Sequence, residues 1–215
     1  MSNRPYIKKE IAFERVLFFS DAVVAIAITL LAFNLKLSVP PGRHLTFTDL
    51  LSPWQQYLAF ILSFINIAAL WRLHHDFFIY IHKMNDTIMA LNVCWLFLII
   101  TLPFATSLLS THFGDAPAMV LYTGDIFLLS ICQNYIWDYA YMQQDFIDHE
   151  KLNEQPQMDK RFRLMLNLDM LNGLIAVIVA FFMPITAFFL LFFKVPIIIF
   201  SAFYIARQRR QGKLR

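Results

Sequence analysis

Long apolar stretches separated by short polar segments dominate this chain. On a window of about 19 residues, six stretches stand out, at 16–35, 54–73, 88–109, 118–139, 164–183 and 185–206. Each has the roughly 20 residues that a helix needs to cross about 30 Å of hydrocarbon. The pattern therefore predicts an all-α integral membrane protein, with six transmembrane helices in a single domain that covers residues 1–215.

The division between the last two stretches depends on one residue. Only Pro184 separates them, and proline ends or kinks a helix because it lacks a backbone N–H. Five spans therefore remain an alternative to six. Lys194 falls inside the sixth stretch, close to Pro196. This lysine must reach the interface, face protein, or mark a shifted boundary.

The composition supports a membrane location. Hydrophobic residues make up 59% of the chain and charged residues 15%, against about 45–50% and 25% in soluble domains. No alternating ten-residue pattern is present, which argues against a transmembrane β-barrel and leaves helices as the spanning element. Cys94 and Cys132 both lie in apolar runs, so we interpret them as small buried hydrophobic residues.

The basic residues indicate how the chain is oriented. If the N-terminus is inside, 15 of the 18 Lys and Arg residues fall on the inner side, and only Lys36, Arg43 and Lys194 lie elsewhere. Basic residues near helix ends are enriched on the cytoplasmic side of membranes. The distribution therefore predicts that both termini are cytoplasmic.

The first stretch carries an unusual polar pattern, Arg15-Val-Leu-Phe-Phe19-Ser20-Asp21. A carboxylate inside an apolar helix costs about 2.5–3.5 kcal/mol unless it meets a partner or water, so Asp21 should face protein. A structural anchor and a proton relay are both open to it. The side chains that share one face, within about 60° of one another, are Arg15, Phe19, Val23, Ile26, Leu30 and Phe33. That face fits ordinary packing, lipid contact or a pore.

This motif resembles the signature of the transmembrane protein 175 family. This is the family of the lysosomal potassium channels and their prokaryotic relatives. The matching residues are Arg15, Phe19, Ser20 and Asp21, near the start of the first of six spans. The segment 22–31, Ala-Val-Val-Ala-Ile-Ala-Ile-Thr-Leu-Leu, is also similar to the family's first helix. One departure is Ala22, where many prokaryotic members have glycine.

The resemblance implies a potassium-permeable cation channel in a prokaryotic plasma membrane. A single repeat implies a homotetramer, in which the first helix of each subunit lines a central pore. Ile26, Leu30 and Phe33 would form its constriction, and Thr29 would flank them. Asn34, near the outer end, would attract cations or cap the helix. No Thr-Val-Gly-Tyr-Gly segment for a carbonyl filter exists, so a hydrophobic constriction would replace it, with weak selectivity.

A second polar cluster follows the second stretch. It contains Trp71, Arg72, His74, His75 and Asp76. Such residues at a helix end are commonly interface anchors. The resemblance implies instead that Trp71 and one histidine, either His74 or His75, brace the signature motif. Neighbouring side chains on a helix do not converge, so we expect no metal site there.

Other polar residues lie at membrane depth, at Asn92, Pro103, Thr106, Asn167, Asp169 and Asn172. They indicate hydrogen bonds between helices or, alternatively, a substrate path. The chain contains none of the phosphate-loop, nucleophile-elbow or zinc-protease motifs. We therefore expect no enzyme activity, no cofactor, no catalytic residue and no nucleic-acid partner. The expected partners are further copies of the chain, potassium and other monovalent cations, and the bilayer.

Three other functions remain open from the sequence. A proton-conducting channel would use Asp21 and the histidines. A proton-coupled small transporter would place its substrate site near mid-membrane. A membrane scaffold would conduct nothing.

Overall fold

A computed structural model describes residues 4–37, 39–143, 145–154 and 157–192, and in these it describes the side chains outside 4–12 and 153–159. The helices in these ranges are α1 (Arg4–Leu30), α2 (Phe47–Leu51), α3 (Trp54–Phe78), α4 (Asp86–Thr111), α5 (Ala116–Met142), α6 (His149–Glu154), α7 (Gln157–Phe182) and α8 (Pro184–Phe192). A 3-10 turn, Leu31–Asn34, extends α1. The predicted all-α class is confirmed.

Five helical segments in the described ranges are long and apolar enough to cross a membrane. They are Phe13–Asn34, Trp54–Phe78, Asp86–Thr111, Ala116–Met142 and Lys160–Phe182. The chain is therefore a multi-pass membrane protein. The predicted break at Pro184 is present, because α7 ends at Phe182 and α8 begins at Pro184. Most of the predicted sixth span, including Lys194, lies outside the described residues.

The directions of the helices follow from their contacts. Ser20 and Asn34, at the two ends of the apolar part of α1, bond to Asn92 and Pro103 of α4, so α1 and α4 run in the same direction. The side chain of Gln133 on α5 reaches the carbonyl of Leu70 on α3. Other contacts show that α3 and α5 run against α4, and that α7 runs against α5.

Large side chains from the middle helices fill the core of the subunit. Phe77 of α3, Trp95 of α4, and Tyr122 and Trp137 of α5 are fully buried. Trp95 stacks on His74, with ring centroids 4.2 Å apart and planes inclined by 14°. These interlocked rings hold α3 and α4 in register, because interiors tolerate little displacement of packed side chains.

Most helices extend beyond the apolar stretches, since a hydropathy window ends where polar residues begin although the helical backbone continues. Two short helices in the connections were not expected. The connection between α1 and α3 contains α2, which begins with a capping box in which Thr46 and Asp49 bond each other's backbone N–H groups. The connection between α5 and α7 contains α6, and Ile147 in it forms an isolated antiparallel bridge with Ile81.

Candidate functional site

The first helix has two faces of different character. Its inward face buries Ser20, Val24, Ala27 and Leu31 against the rest of the subunit. A second face carries the three predicted constriction residues: Ile26 is 58% exposed, Leu30 42% and Phe33 75%. The same helix thus packs firmly on one side and leaves a bulky apolar row on another, where nothing in the described part of the subunit covers it.

The other predicted members of that row are less uniform. Phe19 is 60% exposed, and Arg15 is also exposed. Val23 is half-buried and packs against the core. The exposed row is therefore continuous only from Ile26 to Phe33, at the C-terminal end of the helix.

Thr29 and Asn34, the residues expected beside the row, both use their side chains within the subunit. The Thr29 hydroxyl donates to the carbonyl of Ile26 at 2.8 Å, one turn back on the same helix. Thr29 stays exposed, and its oxygen keeps lone pairs that can accept a donor or face a cation. Asn34 is half-buried and donates from Nδ2 to the carbonyl of Pro103 at 3.0 Å. Asn34 thus ties the end of the first helix to α4.

Asp21 has a specific partner on α3. The indole Nε1 of Trp71 donates to Oδ1 of Asp21 at 2.9 Å. The Trp71 ring in turn stacks on His75, with centroids 5.5 Å apart. A donor aimed at the carboxylate offsets part of the cost of placing that group at membrane depth. Asp21 is thus held by a neighbouring helix.

Ser20 begins a second connection, which runs through the centre of the subunit. The Ser20 hydroxyl donates to the carbonyl of Val16 at 2.9 Å and accepts a hydrogen bond of 2.9 Å from Nδ2 of Asn92. The amide oxygen of Asn92 lies 2.9 Å from Nε2 of His74. An amide oxygen only accepts, so Nε2 of His74 carries the proton. All three linked side chains, Ser20, Asn92 and His74, are buried.

The two histidines of the second cluster differ in environment. His74 is buried and connects to the signature serine through Asn92, whereas His75 is exposed and stacks on Trp71. Neither one contacts Arg15 in the described part of the chain. Arg15 makes no ion pair with Asp21 there either, and it is exposed near the start of the apolar segment Phe13–Asn34.

Several buried polar residues form hydrogen bonds between helices that the sequence did not predict. The Tyr122 hydroxyl lies 3.0 Å from that of Ser63, which lies 2.7 Å from that of Thr106. Gln133 donates to the carbonyl of Leu70 at 2.7 Å. Their signal in the sequence is a lone polar residue in an apolar helix, which predicts burial between helices without naming the partner.

Five apolar helices of membrane-spanning length in the described part of the chain, the first of them hydrogen-bonded to its neighbours, define a multi-pass α-helical membrane protein. Comparison with known proteins is consistent with this class. Residues 15–103 match the family model of the endosomal/lysosomal potassium channel TMEM175. Over these residues the chain is similar to the TMEM175 family, a family of ion channels and not of enzymes. The resemblance predicted from the signature is confirmed.

Individual relatives extend the match. A potassium channel of Chamaesiphon minutus is 35% identical over 133 residues, which are 59% of this chain and 64% of that protein. The endosomal/lysosomal proton channel TMEM175 of Gallus gallus is 33% identical over 152 residues, 65% of this chain and 30% of that protein. The matches thus span less than two thirds of the length of these relatives.

A solved structure shows the same fold over a larger part of the chain. It is the crystal structure of a lysosomal potassium-selective channel TMEM175 homolog from Chamaesiphon minutus. It is 25% identical, with a TM-score of 0.70, and the match covers 91% of this chain and 97% of that one. The likeness therefore continues beyond residue 103.

Proposed function

We propose that this chain forms a homotetrameric, potassium-permeable cation channel with a hydrophobic constriction at Ile26, Leu30 and Phe33. The observation that carries the proposal is the contrast between the two faces of α1. One face is bonded and buried, and the other presents a bulky apolar row. Four-fold symmetry around that row brings four copies of each side chain together.

Such a ring controls permeation without charged ligands. Bulky apolar side chains at a narrow radius exclude water and gate by dewetting. A permeating cation must shed part of its hydration shell there, and potassium does so at lower cost than sodium. The oxygen of Thr29 lies next to the row, where it offers a partial replacement for the lost water. Weak preference for potassium follows, with potassium as the permeant ion and no cofactor.

The support from α3 and α4 fits the same proposal. A narrow apolar ring works only if its helix is held at a fixed distance from the axis, and Asp21, Ser20 and Asn34 each anchor α1 to a neighbour. Ser20 and Asp21 of the signature thus act as supports and not as conduction sites. The charge distribution places both termini in the cytoplasm, and the bacterial relatives favour a prokaryotic plasma membrane.

The decisive experiment measures ion selectivity directly. Purified protein is reconstituted into planar bilayers, and the reversal potential is recorded with potassium on one side and sodium on the other. We expect a current whose reversal potential follows the potassium gradient, and native mass spectrometry should find four copies per particle. Absence of current, or flux that saturates as in a carrier, would overturn the proposal.

A proton-conducting channel is the second candidate, and one finding favours it. The animal relatives, among them that of Gallus gallus, are named proton channels. A buried histidine, His74, also lies one hydrogen bond from Asn92 inside the subunit. A proton gradient imposed in symmetrical potassium separates the two candidates. A reversal potential that follows the pH difference and persists without potassium would favour protons.

A further inference from the structure

Two thiols on neighbouring helices lie side by side at the surface of the subunit. The Sγ atoms of Cys94 on α4 and Cys132 on α5 are 3.8 Å apart, and both cysteines are free. Cys94 is exposed and Cys132 is half-buried. Cys94 thus departs from the burial that its apolar surroundings predicted.

We propose that Cys94 and Cys132 form a dithiol–disulfide modification site within one subunit. A disulfide needs sulfurs about 2.05 Å apart, so the two atoms must approach by about 1.8 Å. Each sulfur moves by rotation about a single side-chain bond, with staggered alternatives available. The helices stay in place meanwhile, because Thr101 and Asp125 join α4 to α5 at 2.9 Å nearer the outer end.

The chemistry requires a two-electron oxidant that reaches this surface of the subunit within the membrane. An azodicarboxamide is a suitable membrane-permeant class. One thiol adds to its nitrogen–nitrogen double bond, and the second sulfur then displaces the reduced reagent. Two S–H bonds break and one S–S bond forms, while the oxidant leaves as a hydrazine with two electrons and two protons. Exposure of Cys94 allows the first step, and the proximity of Cys132 allows the second.

The position of the pair connects it to the support of the first helix. Cys94 follows Asn92 by two residues, and Asn92 bonds both Ser20 and His74. A covalent tie from α4 to α5 therefore acts on the helix that holds α1. This consequence for ion flux depends on the proposed channel function, whereas formation of the disulfide does not.

The test counts thiols in the full-length protein. Wild-type protein in liposomes is treated with the azodicarboxamide diamide, denatured, alkylated with N-ethylmaleimide and weighed by mass spectrometry. We expect loss of both alkylations in a species that remains a single subunit on a non-reducing gel, with recovery of both after dithiothreitol. The matched controls, Cys94→Ser and Cys132→Ser, should each keep their one remaining alkylation.

Three results would overturn the proposal: retention of both alkylations in the wild type, crosslinks between subunits in place of the internal one, or equal loss of the thiol in either single variant.

A second measurement, potassium flux, tests whether the disulfide affects the channel. We expect oxidation to change flux in the wild type, reversibly with dithiothreitol, and to leave Cys132→Ser unchanged. If the disulfide forms but potassium flux does not change, the proposed effect on Asn92 and the first helix is wrong, and the disulfide site itself still stands.

Discussion

The indole Nε1 of Trp71 donates a 2.9 Å hydrogen bond to Oδ1 of Asp21, which joins α3 to the one carboxylate of the signature motif. The two residues are 50 positions apart in the chain. A hydrogen bond to a charged acceptor stabilises a structure by about 1.5–3 kcal/mol. This contact therefore anchors the first helix to α3.

Removing either partner should weaken assembly more than it alters selectivity. Trp71→Phe keeps the apolar ring and loses the donor, so we expect a loss of about 1–2 kcal/mol in stability. Asp21→Asn should behave similarly, because an amide oxygen is a weaker acceptor than a carboxylate. Thermal unfolding and size-exclusion chromatography measure the effect. Intact Asp21→Asn tetramers that have lost selectivity alone would show that Asp21 belongs to the ion path.

Hydrating the apolar row should open the proposed constriction. Ile26→Asn or Leu30→Asn places amides where four side chains meet, so single-channel current should rise and discrimination between potassium and sodium should fall. Ile178→Asn is the matched control, because Ile178 of α7 is 53% exposed, close to the 58% of Ile26, and lies on another helix. Unchanged current and reversal potential in folded Ile26→Asn and Leu30→Asn channels would exclude this row as the path.

Asp125 should tolerate an amide. The hydroxyl of Thr101 lies 2.7 Å from the carbonyl of Leu98 and 2.9 Å from Oδ2 of Asp125. The Thr101 hydroxyl is the donor to Asp125, and the carboxyl oxygen accepts. Asp125 is buried, and the amide oxygen of an asparagine at this position can accept the same hydrogen bond.

Asp125→Asn keeps an acceptor for the Thr101 hydroxyl, so its free energy of unfolding should stay within about 1 kcal/mol of the wild-type value in thermal unfolding. A much larger loss of stability would show that this buried position needs the carboxyl group itself.

The connection between α1 and α3 should loosen in acid. Hydrogen bonds from the Thr46 side chain and backbone, helped by the Arg43 guanidinium, lower the pKa of Asp49 below its usual 3.8. A lowered pKa means that the ionised form is favoured in the folded state. The stabilisation is thus complete above 3.8 and lost as the pH falls through the lower folded value. Amide hydrogen exchange at α2 should accelerate there.

Asp49→Asn isolates the contribution of that carboxylate. The variant should show faster exchange at α2 at neutral pH and no further acid transition in this segment. Protection that persists in the wild type far below the usual pKa of an aspartate would mean that the capping box does not need the charge.

The sequence predicted that Asp21 contacts a neighbouring helix, but it did not identify every residue that holds the first helix in place. A carboxylate inside an apolar helix is too costly to stay without a partner, so a contact with protein followed from the residue type alone. Ser20 and Asn92, however, are 72 positions apart, and His74 reaches the serine only through the amide between them. The rotation of each helix about its axis decides such contacts, and spacing along the chain does not reveal it.

The same limit applies to burial. Periodicity placed Ile26, Leu30 and Phe33 on one face of the first helix, and the structure shows all three exposed in the single subunit. Val23 was assigned to that face as well and instead packs against the core, since it lies at the edge of the row where the neighbouring helices reach it. For Cys94 an apolar neighbourhood did not distinguish a core position from one exposed at the surface of the single subunit.

The attachment of the first helix to α4 at two levels has a mechanical consequence. Ser20, within the first helix, is held by Asn92, and Asn34, just after the helix, is held to Pro103. A helix that is hydrogen-bonded to its neighbour at two levels cannot tilt or slide against that neighbour without breaking one of the two hydrogen bonds. In the proposed channel, widening therefore comes from whole subunits moving apart or from Ile26, Leu30 and Phe33 changing rotamer, and the backbone of the first helix follows α4 as one body.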